Sequence, residues 1–143
     1  MSAATCELCD QADGEEVYRC EKYRVVLVDD VNYPGFCRVI WNAHVKEITD
    51  LTWPDRAVLM SAVWQVEQAV RDVMRPDKVN LASLGNLVPH LHWHVIPRYH
   101  DDVHFPSPVW AAAHRTPELS SLAARVALLP ALREAITRLA GAG

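Results

Sequence analysis

The sequence predicts a single α+β domain, in which one antiparallel sheet of about five strands carries a long helix on one face. A length of 143 residues suits one domain with a full hydrophobic core. Five short segments have the β-branched and aromatic composition or the alternation of strands. One long segment between the third and fourth of them has a helical hydrophobic period. Strands that follow each other without intervening helices favour α+β over a parallel sheet.

Residues 16–42 are predicted to form a meander of three strands. The first two strands are "EVYRC" and "YRVVLVD", which are rich in Val and Tyr. A turn follows at "NYPG", where Pro34 fixes φ and Gly35 is free to adopt a positive φ. The third strand is "FCRVIWN".

Residues 52–75 are predicted to form the long helix. Thr52, with Asp55 three positions later, suits its N-terminus, and Pro76 ends it. The apolar stripe recurs at spacings of three and four and consists of Leu59, Val63, Val66, Val70 and Val73. Two more strands, "KVNLASLG" and "HLHWHVIPRY", come next, and a helical tail is expected after Pro117.

The composition excludes two classes of partner. Lys and Arg number 14 against 18 Asp and Glu, so the chain lacks the broad basic face that duplex nucleic acid or an anionic membrane requires. The apolar stretch at residues 122–140 contains three Arg, one Glu and one Pro and is therefore no membrane span. The N-terminus has no basic region followed by an apolar run, so a cytoplasmic protein is expected.

The segment "NLVPHLHWHVIPRY" places His90, His92 and His94 at alternate positions, with apolar residues between them. On a strand, alternate side chains share one face, so the three imidazoles are expected to lie in a row. The row is compatible with a solvated polar face, with three ligands of a metal that activates water, or with a nucleophilic imidazole flanked by two others.

Cys6 and Cys9 have the C-x-x-C spacing that allows two thiolates to bind one tetrahedral ion. Two incidental thiols near a terminus are the alternative. Two more ligands would be needed, and no second C-x-x-C is present. Cys20 and Cys37 are expected to be small buried hydrophobic residues of strands.

The chain resembles the histidine triad (HIT) family. "HLHWHVI" matches its motif of three histidines alternating with apolar residues, and "YPGFCRVIWNAHVKEITDL" resembles the strand, turn and His-bearing loop before the family's long helix. The resemblance covers a core of residues 5–99, with residues 100–143 as a C-terminal extension of the same domain. It implies the HIT fold and a homodimer paired around the long helix and an edge strand.

The resemblance also implies roles for individual residues. His92 matches the nucleophile that takes up the nucleoside monophosphate, and His94 matches the residue that hydrogen-bonds the phosphate. Asn86 matches a polar position that contacts the α-phosphate. Asp29 lies near the position that holds the ribose hydroxyls, with Asp30 as a rival and a turn-entry pair as the structural alternative.

The activity implied by the resemblance is a nucleotide hydrolase or nucleotidyl transferase that cleaves at the α-phosphate of a purine nucleotide, through a covalent histidine intermediate. Leu87 departs from the family, because many members carry Ser or Thr there. The choice between dinucleoside polyphosphates and nucleoside phosphoramidates therefore stays open. A non-catalytic nucleotide-binding protein and a metal-dependent hydrolase that uses the histidine row are the alternatives.

A structural zinc site is the further implication, with no organic cofactor expected. In some family members a histidine at the position of His44 and the first histidine of the triad, here His90, complete the site begun by Cys6 and Cys9. His92 and His94 would then remain for phosphate chemistry. In some relatives the C-terminal tail crosses to the partner's active site, which draws attention to Trp110.

Overall fold

Five strands form one antiparallel sheet in the order β1–β2–β3–β5–β4. A computed structural model describes residues 6–10 and 14–142 of the chain, with the side chain of Asp10 outside the description. The strands are β1 (Glu15–Arg19), β2 (Tyr23–Leu27), β3 (Cys37–Trp41), β4 (Lys78–Ala82) and β5 (His92–Arg98). The predicted antiparallel sheet of about five strands is confirmed.

Four α-helices accompany the sheet among the described residues: α1 (Glu7–Asp10), α2 (Trp53–Met74), α3 (Leu119–Val126) and α4 (Leu129–Ala142). The predicted N-terminus of α2 is confirmed, since the Thr52 hydroxyl accepts a hydrogen bond of 3.3 Å from the backbone N–H of Asp55. The helix ends at Met74, because Arg75 adopts a left-handed conformation ahead of Pro76. None of the described helices is long and apolar enough to cross a membrane.

The two faces of the sheet have different roles. One face packs on α2, where the predicted stripe is buried from Leu59 to Val70, and Met74 is buried more fully than Val73. Burial of such aliphatic side chains contributes about 1.5–3 kcal/mol each. The opposite face carries alternate residues of β3 and β5. The register pairs Arg38 with His94 and Ile40 with His92, so these four side chains share a face that α2 leaves uncovered.

The loop after β5 is fixed to this second face by a buried ion pair. The Arg98 guanidinium donates to Asp102 at 2.8 and 3.1 Å, and both side chains are at most 2% exposed. The same carboxylate accepts the Tyr33 hydroxyl at 3.0 Å and the backbone N–H groups of Tyr99, His104 and Phe105. Asp102 therefore determines the course of the chain toward Trp110.

Asp102→Ala is expected to destabilise the protein by about 3–5 kcal/mol, because it leaves the buried Arg98 charge without its carboxylate, with only the neutral oxygens of Asn80 and Ser107 as acceptors. The measurement is the free energy of unfolding in urea at pH 7. The neighbouring Asp101 provides a matched control. Its carboxylate binds Arg125 at 2.6 Å but is 43% exposed, so Asp101→Ala is expected to cost no more than about 1 kcal/mol.

The stability that the Asp102 carboxylate contributes should depend on pH. Burial raises the pKa of Asp102, but the hydrogen bond from Arg98 and those from backbone N–H groups outweigh it and lower the pKa to about 2. The carboxylate therefore contributes stability that is present above about pH 4 and is lost as the pH falls toward 2. The difference between wild type and Asp102→Ala should shrink over that range. An equal difference at pH 7 and pH 2.5 would contradict the role of the ionised carboxylate.

Candidate active site and metal centre

His92 begins β5, so the strand starts two residues later than the sequence predicts and leaves His90 in the preceding loop. The His92 side chain is 7% exposed, and its Nδ1 lies 2.6 Å from the backbone oxygen of His90. A carbonyl only accepts hydrogen bonds, so Nδ1 carries the proton and Nε2 keeps its lone pair. Burial lowers the pKa of His92 and favours this neutral form. The ring therefore offers a nucleophilic nitrogen at neutral pH.

His94 lies beside it, with the two ring centroids 5.0 Å apart. Edge-to-face contacts with Phe36 at 5.7 Å and with Trp110 at 5.1 Å hold the His94 ring from either side. Burial, followed by the nearby His92 and Arg38, lowers the pKa of His94 to about 4. Its Nδ1 is buried and has no hydrogen-bond partner among the described residues.

A cavity of about 330 Å³ opens over the two histidines. Its lining brings together three of the residues singled out by the sequence, Asn86, His92 and His94. The other lining residues are Glu7, Leu8, Arg38, Leu84, Gly85, Leu87, Val88 and Trp110. The volume and the mixture of apolar walls with a few polar groups are typical of a small-molecule site.

Asp29 and Asp30 do not line this cavity. The exposed Asp29 borders a different cavity with Leu129 and Arg133. Asp30 caps its own turn, with the carboxylate accepting the backbone N–H of Asn32 at 3.0 Å. The contact agrees with the turn interpretation of Asp30. A ribose-binding role for Asp29 or Asp30 stays a prediction.

Four ligand-type side chains converge next to the start of β5. The potential ligand atoms of Cys6, Cys9, His44 and His90 all lie within 4.8 Å of one another. Nδ1 of His90 is 3.4 and 3.5 Å from the two sulfur atoms and 3.2 Å from Nδ1 of His44, which is itself 3.3 Å from the Cys9 sulfur. Residues up to 84 positions apart in the chain are involved. This is the set predicted as a zinc site.

The distances fit a tetrahedral zinc ion. Bonds of about 2.3 Å to sulfur and 2.0 Å to nitrogen place sulfur and nitrogen ligands about 3.6 Å apart and two nitrogens about 3.3 Å apart. The orientation of His90 fits as well, because its Nε2 donates to the backbone oxygen of Trp41 at 2.6 Å and leaves Nδ1 bare. Buried Arg24 donates to the backbone oxygen of Leu8, which lies between the two cysteines in α1, and ties this helix to β2.

The sequence interpretation missed two charged lining residues, Glu7 and Arg38, and considered Trp110 only as a ligand contact at the partner's active site. The signal for Arg38 was present, since it is the charged residue in the otherwise apolar strand "CRVIW". Trp110 reaches His94 of its own chain in this structure. That contact depends on the course of the loop, which no local pattern reveals.

Comparison with known proteins agrees with this geometry. The HIT domain model matches residues 10–101, more than half of the chain. The chain belongs to the HIT domain family. A histidine triad protein from Bradyrhizobium japonicum is 30% identical, with a TM-score of 0.70 over 87% of this chain and 91% of the other. A Zn-bound histidine triad family protein from Mycobacterium smegmatis is 24% identical, with a TM-score of 0.64 over 99% and 100% of the chains, and shares the HIT fold.

Curated relatives of this HIT protein match over shorter stretches. The AP-4-A phosphorylase of Mycobacterium tuberculosis is 33% identical over 78 residues, which are 50% of this chain and 40% of the relative. The bis(5'-adenosyl)-triphosphatase of Saccharomyces cerevisiae is 29% identical over 92 residues, or 59% and 45%. The HIT chain thus spans less than half the length of these relatives.

Proposed function

We propose that the protein is a nucleotide hydrolase or nucleotidyl transferase that cleaves at the α-phosphate of a purine nucleotide through a covalent intermediate on His92. The hydrogen bond from Nδ1 of His92 to the His90 backbone oxygen carries the proposal, because it leaves Nε2 unprotonated. This nitrogen belongs to a residue that lines a cavity large enough for a small ligand.

The chemistry proceeds in two displacements. Nε2 of His92 attacks the α-phosphorus, a P–N bond forms, and the bond from phosphorus to the bridging atom breaks, so that the leaving group departs with the electron pair. Water then attacks phosphorus, the P–N bond breaks, and the nucleoside monophosphate leaves. His94 and Asn86 donate hydrogen bonds to the phosphoryl oxygens, where negative charge develops. Both residues line the cavity with His92.

The relatives support a dinucleoside polyphosphate as the substrate class, since two of them are named for diadenosine compounds. Nucleoside phosphoramidates are the second candidate. Leu87, which is 87% exposed at the rim, offers no hydroxyl to a leaving group. A leaving group that is already stable as an anion, such as a nucleoside polyphosphate, suits such a site better than an amine that needs a proton.

We also propose that Cys6, Cys9, His44 and His90 hold a structural zinc ion and that the protein is a homodimer. Four protein ligands would close the coordination sphere, so the ion would stabilise the loop before β5 and would not activate water. The metal-dependent hydrolase is disfavoured, because Nδ1 of His90 faces the two cysteines, which removes one of the three ligands that such a site would need.

The test is the mass of the intact protein shortly after mixing with diadenosine tetraphosphate or with an adenosine phosphoramidate. A transient gain of one adenosine monophosphate on wild type is expected, and peptide mapping should place it on His92. Turnover without any adduct would contradict the covalent route. Binding without turnover would establish the nucleotide-binding alternative.

A further inference from the structure

Arg38 occupies the middle of β3, directly across from His94 on β5. The two side chains lie on the same face of the sheet, and directly opposed residues of antiparallel strands have their Cβ atoms about 4.5–5.5 Å apart. The guanidinium carbon of Arg38 lies 5.9 Å from the centre of the Phe36 ring, which also contacts His94 at 5.7 Å. Arg38 is half-buried and lines the same cavity as His92 and His94.

The charges in this cavity single out Arg38. Among the described residues that line it, Arg38 is the one Lys or Arg, and Glu7 is an exposed carboxylate. His94, with a pKa of about 4, is neutral at pH 7, so it adds hydrogen bonds but no positive charge. A phosphoryl group that enters the cavity therefore meets one permanent cation.

The chemistry of the side chain suits a phosphate. A guanidinium keeps its charge at all physiological pH values, is less strongly hydrated than an ammonium, and donates parallel hydrogen bonds to two oxygens of a phosphate.

We propose that Arg38 binds a phosphoryl oxygen of the nucleotide and, with the neighbouring His94, forms an anion subsite in the cavity. The proposed function supplies the ligand, a nucleotide, and this inference rests on it. Arg38 is then an additional phosphate-binding residue of the same site. Such a subsite would make the protein bind a nucleotide more tightly than its nucleoside, because only the nucleotide has a phosphate that can reach the Arg38 charge. Loss of the guanidinium should remove that discrimination and leave nucleoside binding intact.

The experiment compares the dissociation constants of adenosine monophosphate and adenosine, by calorimetry, for wild type and Arg38→Gln. Wild type is expected to prefer the nucleotide. Arg38→Gln should weaken binding of adenosine monophosphate about ten- to hundredfold, which is the range for a hydrogen bond to a charged group, and leave adenosine within about twofold. Arg38→Lys should keep part of the preference, because it keeps the charge and loses the parallel hydrogen bonds.

Two further variants control the comparison. Arg138→Gln removes the same charge from an exposed position on α4 and should leave both constants unchanged. Arg38→Leu replaces Arg38→Gln if the latter does not fold, since a branched apolar residue suits the strand. Equal weakening of nucleotide and nucleoside by the Arg38 variants would overturn the proposal, as would an unchanged preference.

Failure of this inference is separable from failure of the proposed function. If wild type forms a His92 adduct but the Arg38 variants keep the preference for adenosine monophosphate over adenosine, the anion subsite is wrong and the proposed function stands. An Arg38-dependent preference without adduct or turnover would support the subsite in a nucleotide-binding protein. Wild type that binds both compounds equally would overturn the subsite, whatever the outcome of the adduct experiment.

Discussion

His92→Ala is expected to lower kcat/KM for a dinucleoside polyphosphate by roughly ten-thousandfold or more, the scale seen when a covalent nucleophile is removed. The reason is that neither of the other two imidazoles of the row can replace His92 as the nucleophile. Nδ1 of His90 faces the cysteine cluster, and His94 lacks the backbone hydrogen bond that sets the tautomer of His92. The measurement is steady-state release of nucleoside monophosphate, combined with the mass of the intact variant after mixing.

His100→Ala is a matched control for this variant. The His100 side chain is 74% exposed in the loop after β5 and lies 3.5 Å from the exposed carboxylate of Asp77. Its removal should leave kcat/KM within about twofold, because exposed side chains away from a site have small effects. A His92→Ala variant that folds and turns over at the wild-type rate would eliminate the covalent mechanism.

Cys9→Ser is expected to abolish stoichiometric zinc binding and to lower Tm by about 10–15 °C. Zinc that is present at about a thousandfold above its dissociation constant stabilises the folded state by about 4 kcal/mol. For a chain of this length about 1 kcal/mol corresponds to about 3–4 °C. Cys9 suits the test because it is the exposed cysteine of the cluster, so the introduced hydroxyl remains solvated. Zinc content is measured by elemental analysis and Tm by calorimetry.

Cys20→Ser provides the comparison, since its sulfur lies outside the cluster and contacts the backbone oxygen of Tyr23 at 3.6 Å. This variant should keep its zinc and nearly all of its Tm. A chelator should lower the Tm of wild type and of Cys20→Ser to that of Cys9→Ser, and should not change Cys9→Ser further. Wild type purified without zinc and with a chelator-insensitive Tm would refute the metal site.

Local patterns in the sequence were sufficient for most of the fold. Alternation of apolar residues and turn chemistry located the strands, and the three-four spacing from Leu59 to Val70 located α2, because these signals depend on neighbours within a few residues. The start of β5 was placed too early. His90 alternates with the strand residues in sequence, but it precedes the paired residues of β5. Its ring instead contacts the backbone oxygen of Trp41 and the Cys6 sulfur.

The residues of the candidate site could be predicted from the sequence where they belong to a recognisable motif. The row of histidines and the C-x-x-C pair named most of the residues of both centres, and the family resemblance supplied His44 and Asn86. The structure brings each group together. Arg38 escaped prediction, since it faces the cavity through cross-strand register. Trp110 was considered for the partner's site, whereas a loop held by Asp102 brings it to His94 of its own chain. Asp29 shows the reverse, because it lies near the family's ribose-binding position in the sequence but borders a different cavity.

The sequence by itself determined the elements, the class of fold and the side chains available for chemistry, because periodicity and motif spacing are properties of the chain. The tertiary structure decided how the three histidines divide their work. His90 turns Nδ1 toward thiols more than 80 positions away, while its backbone oxygen sets the tautomer of His92. That division depends on tertiary contacts, because the thiols and the Trp41 backbone oxygen that orient the His90 ring lie far from it in the chain, whereas its contact with His92 is local.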